Sequence, residues 1–97
     1  MLMTREATIG PNTRVELDLL VQPLDGDANS VVACRGQASF DRENWFDVAD
    51  LAIRATGAGR TLHVGRVSGE RLRFVLDHEG ATGAHAAFDL RVRLEQE

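Results

Sequence analysis

The sequence predicts an all-β fold: an antiparallel β-sandwich of about seven strands, jelly-roll or Ig-like. Three observations lead there. Apolar and polar residues alternate with period two along most of the chain, which puts one apolar and one charged face on each segment. Turn-forming clusters recur at short, regular intervals. The chain has 97 residues and 43% hydrophobic composition, enough for one domain, 1–97, with one core.

The elements follow in order. Residues 4 to 9 form a short edge strand before the turn Gly10-Pro11-Asn12. Val15, Leu17, Leu19 and Val21 then alternate with Arg14, Glu16, Asp18 and Gln22, interrupted only by Leu20. The polar run Asp25 to Ser30 is a loop. Val32, Cys34, Ala38 and Phe40 share a parity in the next strand, with Gly36 a position for a bulge. Asp41 to Asn44 is a turn. Phe46 and Val48 lie on one parity and Leu51 and Ile53 on the other, so a strand here needs a bulge near Ala49-Asp50. A short helix capped by Asp47 competes with that strand. After a loop at Thr56 to Gly59, Leu62 and Val64 face Leu72 and Phe74 if Val67-Ser68-Gly69 is a three-residue hairpin loop. A loop from His78 to Ala84 leads to the last strand, where Phe88, Leu90, Val92 and Leu94 alternate with Asp89, Arg91, Arg93 and Glu95. The expected core is Leu17, Leu19, Phe40, Trp45, Leu62, Val64, Leu72, Phe74, Phe88, Leu90 and Val92.

Composition narrows the chemistry. The net charge is −4, and all 11 basic residues are arginine. An acidic chain is a poor partner for phosphate backbones, so direct nucleic-acid binding is not expected. No apolar run approaches the roughly 20 residues that span a bilayer. The amino terminus has no basic stretch followed by a long apolar run, so no signal peptide is expected. Cys34 is the one cysteine; it reads as a small buried apolar residue.

Candidate sites are few. Asp25-Gly26-Asp27-Ala28-Asn29-Ser30 offers oxygen ligands but not the full calcium-loop pattern, and reads as a polar turn. Asp77-His78-Glu79 with His85 brings imidazole near carboxylates beside a glycine-rich loop, and reads as a solvated loop tip. His63 reads as an exposed residue on the outer face of its strand. No nucleophile elbow or phosphate-cradling loop is present. No catalytic residue, metal or cofactor is expected, and the chain reads as a non-enzyme. Arg71, Arg73, Arg91 and Arg93 share the outer parity of two strands and would form a basic stripe if those strands were neighbours. Such a stripe could dock acidic side chains of a partner, against the favoured alternative of a solvated face balanced by Asp77, Asp89 and Glu95. With His78 and His85 they are the candidate interface.

The stretch Ser39-Phe40-Asp41-Arg42-Glu43-Asn44-Trp45-x-x-Val48 resembles a pattern of small β-sandwich structural proteins in tailed-phage virions. There a strand ends in a Ser-x-Asp-Gly turn followed by Trp and an apolar residue. The likeness continues through Leu72-Arg73-Phe74-Val75, Gly80-Ala81-Thr82-Gly83 and Phe88-Asp89-Leu90-Arg91-Val92, covering about residues 30 to 95. This chain has Arg42-Glu43 where a glycine is common. Similar turns occur in discoidin-like and other carbohydrate-binding sandwiches. The resemblance implies a non-enzymatic accessory component of a phage-like particle, decorating the head or associated with the tail. It would be located in the virion, with the cytoplasm as the alternative. Its partners would be other virion or assembly subunits and further copies of itself. The alternative is a carbohydrate- or small-ligand-binding module, disfavoured by a single Trp and no Tyr.

Overall fold

A computed structural model describes residues 2–23, 31–56, 59–79 and 86–96. Every regular element in them is a strand: β1 (Leu2–Met3), β2 (Ala7–Thr8), β3 (Thr13–Pro23), β4 (Val31–Ser39), β5 (Phe46–Thr56), β6 (Gly59–Val67), β7 (Arg71–Glu79) and β8 (Ala86–Gln96). They form two antiparallel sheets packed as a sandwich. Sheet A has the order β1-β7-β4-β5, with β2 also on β7, and sheet B has the order β6-β3-β8. Among successive long strands only β4 and β5 pair as a hairpin. The other connections carry the chain from one sheet to the other.

The alternation sorts side chains as period two requires. Val15, Leu17, Leu19 and Val21 of β3 meet Val32, Cys34 and Ala38 of β4 and Leu72, Phe74 and Leu76 of β7 in a buried core. Phe88, Leu90 and Leu94 of β8 pack against it from a half-buried position. Cys34 is a buried free thiol, and burial pushes its pKa up to about 11.

The strand alternative for residues 46–53 is the one that forms, and the bulge lies where the parity switches. Arg35 is opposite Ala52 but Gly36 is opposite Val48, so Ala49, Asp50 and Leu51 crowd into one step of β5. The extra length throws Leu51 into the core and Asp50 toward β6. A Cβ on Gly36 would lie 2.8 Å from Leu51 Cβ, and one on Gly65 would lie 2.4 Å from the Asp50 carbonyl oxygen. Leu51 therefore sits between two glycines, one in each sheet. The Asp50 carboxylate accepts the Arg66 amide at 2.7 Å, and the Asp50 carbonyl oxygen lies 2.7 Å from His63 Nε2. These contacts tie the edge of sheet A to the edge of sheet B.

Several sequence expectations are corrected here. β6 and β7 do not form a hairpin. β6 pairs β3, while β7 pairs β4 and the amino-terminal fragments. Residues 68–70 instead arch between the sheets, with the Glu70 amide donating to the Ser39 carbonyl and Ile9 donating to the Glu70 carbonyl. The parity of β6 is the reverse of the expected one. Leu62 and Val64 point outward, 70% and 51% exposed, while Gly65 and Val67 are buried. His63 thus belongs to the inner parity and is held by Asp50, not free on the outer face. The physical reason is the bulge: Leu51 and Asp50 fill the space under β6, so its inner face needs little side-chain volume. Phe40 is 65% exposed because β4 ends one residue before it. The expected loop His78 to Ala84 starts later, since β7 continues through Glu79. The loop at Asp25 to Ser30 and the residues 80–85 lie outside the described residues, and so does the centre of the 56–59 turn.

Candidate functional site

Among the described residues, three surface regions carry organised side chains. The first is the turn after β4. Ser39 is buried at the end of the strand, and its hydroxyl accepts the amide of Arg42 at 2.8 Å. The Asp41 carboxylate accepts the amides of Glu43 and Asn44 at 2.9 and 2.8 Å, the Asn44 side-chain amide at 2.7 Å and the Ser39 hydroxyl at 3.0 Å. These donors, the Asn44 pair first, hold the Asp41 carboxyl well below the usual carboxylate range. Its lone pairs are spent on the turn itself. Arg42 takes a φ of 67°, the left-handed conformation that glycine adopts without steric penalty. It is the position where the resemblance places a glycine.

The turn delivers Trp45 to the outer face of sheet A, where it is half-buried rather than a core anchor. The Arg73 guanidinium stands 3.9 Å from its ring centroid, a cation–π contact. The polar chain continues across the sheet. Arg73 Nε donates to the Gln37 side-chain oxygen at 2.9 Å, and Gln37 donates to Asp47 at 2.9 Å. Arg35 lies 3.5 Å from Asp47 and 3.3 Å from Asp77. Phe40 and Phe46 stack at 5.7 Å beside the turn, both exposed.

The second region is the outer face of sheet B. Register sets Leu62, Asp18 and Arg91 side by side, and Val64, Glu16 and Arg93 in the next row. They line a shallow depression of about 440 Å³. Ion pairs surround it: Arg60 with Asp18 at 3.1 Å, Arg91 with Asp89 at 3.2 Å, Arg93 with Glu95 at 3.0 Å, and Arg14 with Glu16. The Arg91 and Arg93 pairs are solvent-exposed and of small individual worth, whereas Arg14–Glu16 and the Asp18 carboxylate are partly buried.

The third region is the side where β8 ends sheet B. An open groove of about 320 Å³ runs between β8 and the amino-terminal segment, lined by Thr4, Arg5, Ala7, Leu72, Phe74, Leu90, Val92 and Leu94.

The condition for a stripe of four arginines, neighbouring strands, is not met. Arg71 and Arg73 lie on β7 in sheet A, and Arg91 and Arg93 on β8 in sheet B. Because the two strands belong to different sheets, their outer faces point to opposite sides of the sandwich. His78 is exposed near the end of β7, on the parity opposite to Asp77, whose carboxylate is engaged by Arg35. The proposed grouping of His78 with Asp77 is therefore split between two faces; His85 lies outside the described residues. Among the described residues no three His, Cys, Asp or Glu side chains converge as a metal site would require. Leu62 and Val64 are exposed although their apolar alternation is the pattern of a core-facing strand.

No family model matches this chain, and neither a curated protein nor a solved structure matches it.

Proposed function

We propose that this chain is a non-enzymatic structural subunit that acts by burying its sheet faces and edges against neighbouring subunits. The observation that carries this reading is the outward placement of Leu62 and Val64, 70% and 51% exposed, in a face otherwise covered by ion pairs. An apolar pair set among charges on a sheet face is what an interface core surrounded by a polar rim looks like before the partner arrives. The resemblance of Ser39 to Val48 to virion sandwiches extends the reading to an accessory head or tail component of a phage-like particle. Its partners would be further copies and other particle subunits. The net charge of −4 favours protein partners over DNA. A sugar-binding role draws less support, since Arg73 covers one face of Trp45, the ring a glycan would need.

Light scattering across a concentration series, and retention of the purified chain on particle subunits encoded beside its gene, test the reading. A defined multimer or specific retention is expected. A strict monomer that retains no such subunit and binds glycans saturably, with binding lost in Trp45→Ala, would replace this reading with the sugar-binding one.

A further inference from the structure

We infer that the outer edge of β8 pairs antiparallel with β8 of a second copy of this chain, with Leu90 facing Leu90 across the two-fold axis. The inference deepens the assembly reading and rests on it only in requiring self-association.

Sheet edges expose rows of amides and carbonyls, and proteins blunt them with bulges, short strands or covering segments. Three of the four edges here are treated in this way. β5 carries the bulge at Ala49 to Leu51. β6 is clamped through His63 and Arg66 to Asp50. On the far side of sheet A, β1 and β2 are fragments of two residues each. Among the described residues β8 has none of these devices. It holds an unbroken register with β3 from Ala86 to Gln96, contains no proline, carries its charges on the outer face alone, and has no strand on its other side among the described residues.

Charge selects the occupant and the register. Keeping apolar face on apolar face requires like parity across the pair. On the outer face β8 presents Asp89, Arg91, Arg93 and Glu95 in order. A two-fold axis at Asp89, Arg91 or Arg93 sets that residue against itself. An axis at Val92 sets Arg91 against Arg93 and Asp89 against Glu95. An axis at Leu90 sets Asp89 against Arg91 twice and opposes no like charges. Of the registers that pair more than half of the strand, it alone does so. The same register stacks Leu90 on Leu90 and Phe88 on Val92, covering Val92, which is 39% exposed in the single chain. The groove lined by Leu72, Phe74, Leu90, Val92 and Leu94 opens along this side, so the second copy would border it. A continuous sheet of β6-β3-β8 and its two-fold mate results, an isologous interface.

The test uses Asp89→Arg, Arg91→Asp and the double exchange Asp89→Arg/Arg91→Asp. Both side chains are exposed, and circular dichroism is to check that each variant keeps the fold. Light scattering and sedimentation give the dimer dissociation constant. Wild type is expected to dimerise, each single variant to weaken dimerisation by about tenfold or more, and the double exchange to restore it to within about threefold. Hydrogen exchange supplies a second readout: β8 amides of wild type should slow with rising concentration, and those of the single variants should not. A wild-type monomer overturns the pairing, as does failure of the double exchange to rescue. A multimer indifferent to all three variants also overturns it while leaving the assembly reading intact. A monomer that fails to bind any particle subunit overturns both.

Discussion

Asp41 shows how one side chain can set a turn. Its carboxylate takes two backbone amides and a side-chain amide from its own turn and the hydroxyl of Ser39 at the end of β4, all from residues no more than three positions away. Each donor favours the charged form, so the folded-state pKa lies below the value of about 3.9 that an unfolded Asp has. The sign follows from linkage. A depressed carboxyl pKa contributes stability at pH above the unfolded value, and that contribution fades as pH falls toward the folded one. Asp41→Asn keeps an acceptor at the same place but removes the titration. Urea midpoints measured from pH 7 to pH 2 should therefore fall less steeply below about pH 4 in Asp41→Asn than in wild type. Parallel curves would show that the turn donors do not hold the charge. At this scale the sequence was legible where the residue type dictates local geometry, as in the Asp41–Asn44 turn and the buried Cys34. It was not legible for Trp45. Size and apolarity argue for burial, but the residue follows a turn that ends β4 and lands under Arg73 on the outer sheet face. Nothing local in the chain encodes that long-range partner.

At the scale of elements, parity located the strands but could not say which face of an edge strand was inside. For β3, β4 and β7 the apolar parity is the core parity, because each has strands on both sides and a full sheet opposite. β6 breaks the rule. Its inward Gly65 is fitted to the β5 bulge, and its apolar Leu62 and Val64 are left outside. The bulge itself was readable, since Phe46, Val48, Leu51 and Ile53 switch parity across it. Its effect on the neighbouring strand was not, because β5 and β6 lie in different sheets. The close approach makes a quantitative test. A Cβ on Gly65 would lie 2.4 Å from a backbone oxygen, which cannot rotate away, whereas one on Gly69 would meet its nearest atom at 3.3 Å. Gly65→Ala should destabilise by about 1–3 kcal/mol in chemical denaturation, as overpacking typically does. Gly69→Ala should cost measurably less. Equal effects would mean that β5 and β6 can part at little cost, and that the Asp50 clamp does not fix their spacing.

For the whole molecule, the connections determine how the chain can fold. A hairpin between β6 and β7 would have supplied local contacts, but the arch at 68–70 sends these strands to separate sheets. β3 must find β8, whose nearest paired residue, Ala86, is far along the chain from Pro23, and β6 must reach β3 across two intervening strands. β1 and β2 add only when β7 is in place. The β4–β5 hairpin is the one pairing of long strands that is close in sequence, and its bulge weakens its ladder between Arg35 and Gly36. Most stabilising contacts therefore appear only after large loops have closed, and the entropy of closing them is lost first. Sandwiches dominated by such pairings fold in roughly milliseconds to seconds, while chains rich in local contacts fold in microseconds to milliseconds. Stopped-flow refolding from urea, monitored by Trp45 fluorescence, should give a relaxation on the slower scale. The Trp45 signal is well placed for this: its ring is covered only when β7 brings Arg73 over the turn that follows β4. Recovery within microseconds would mean that the turn and a local hairpin organise the chain before the sheets assemble, contrary to the crossing connectivity.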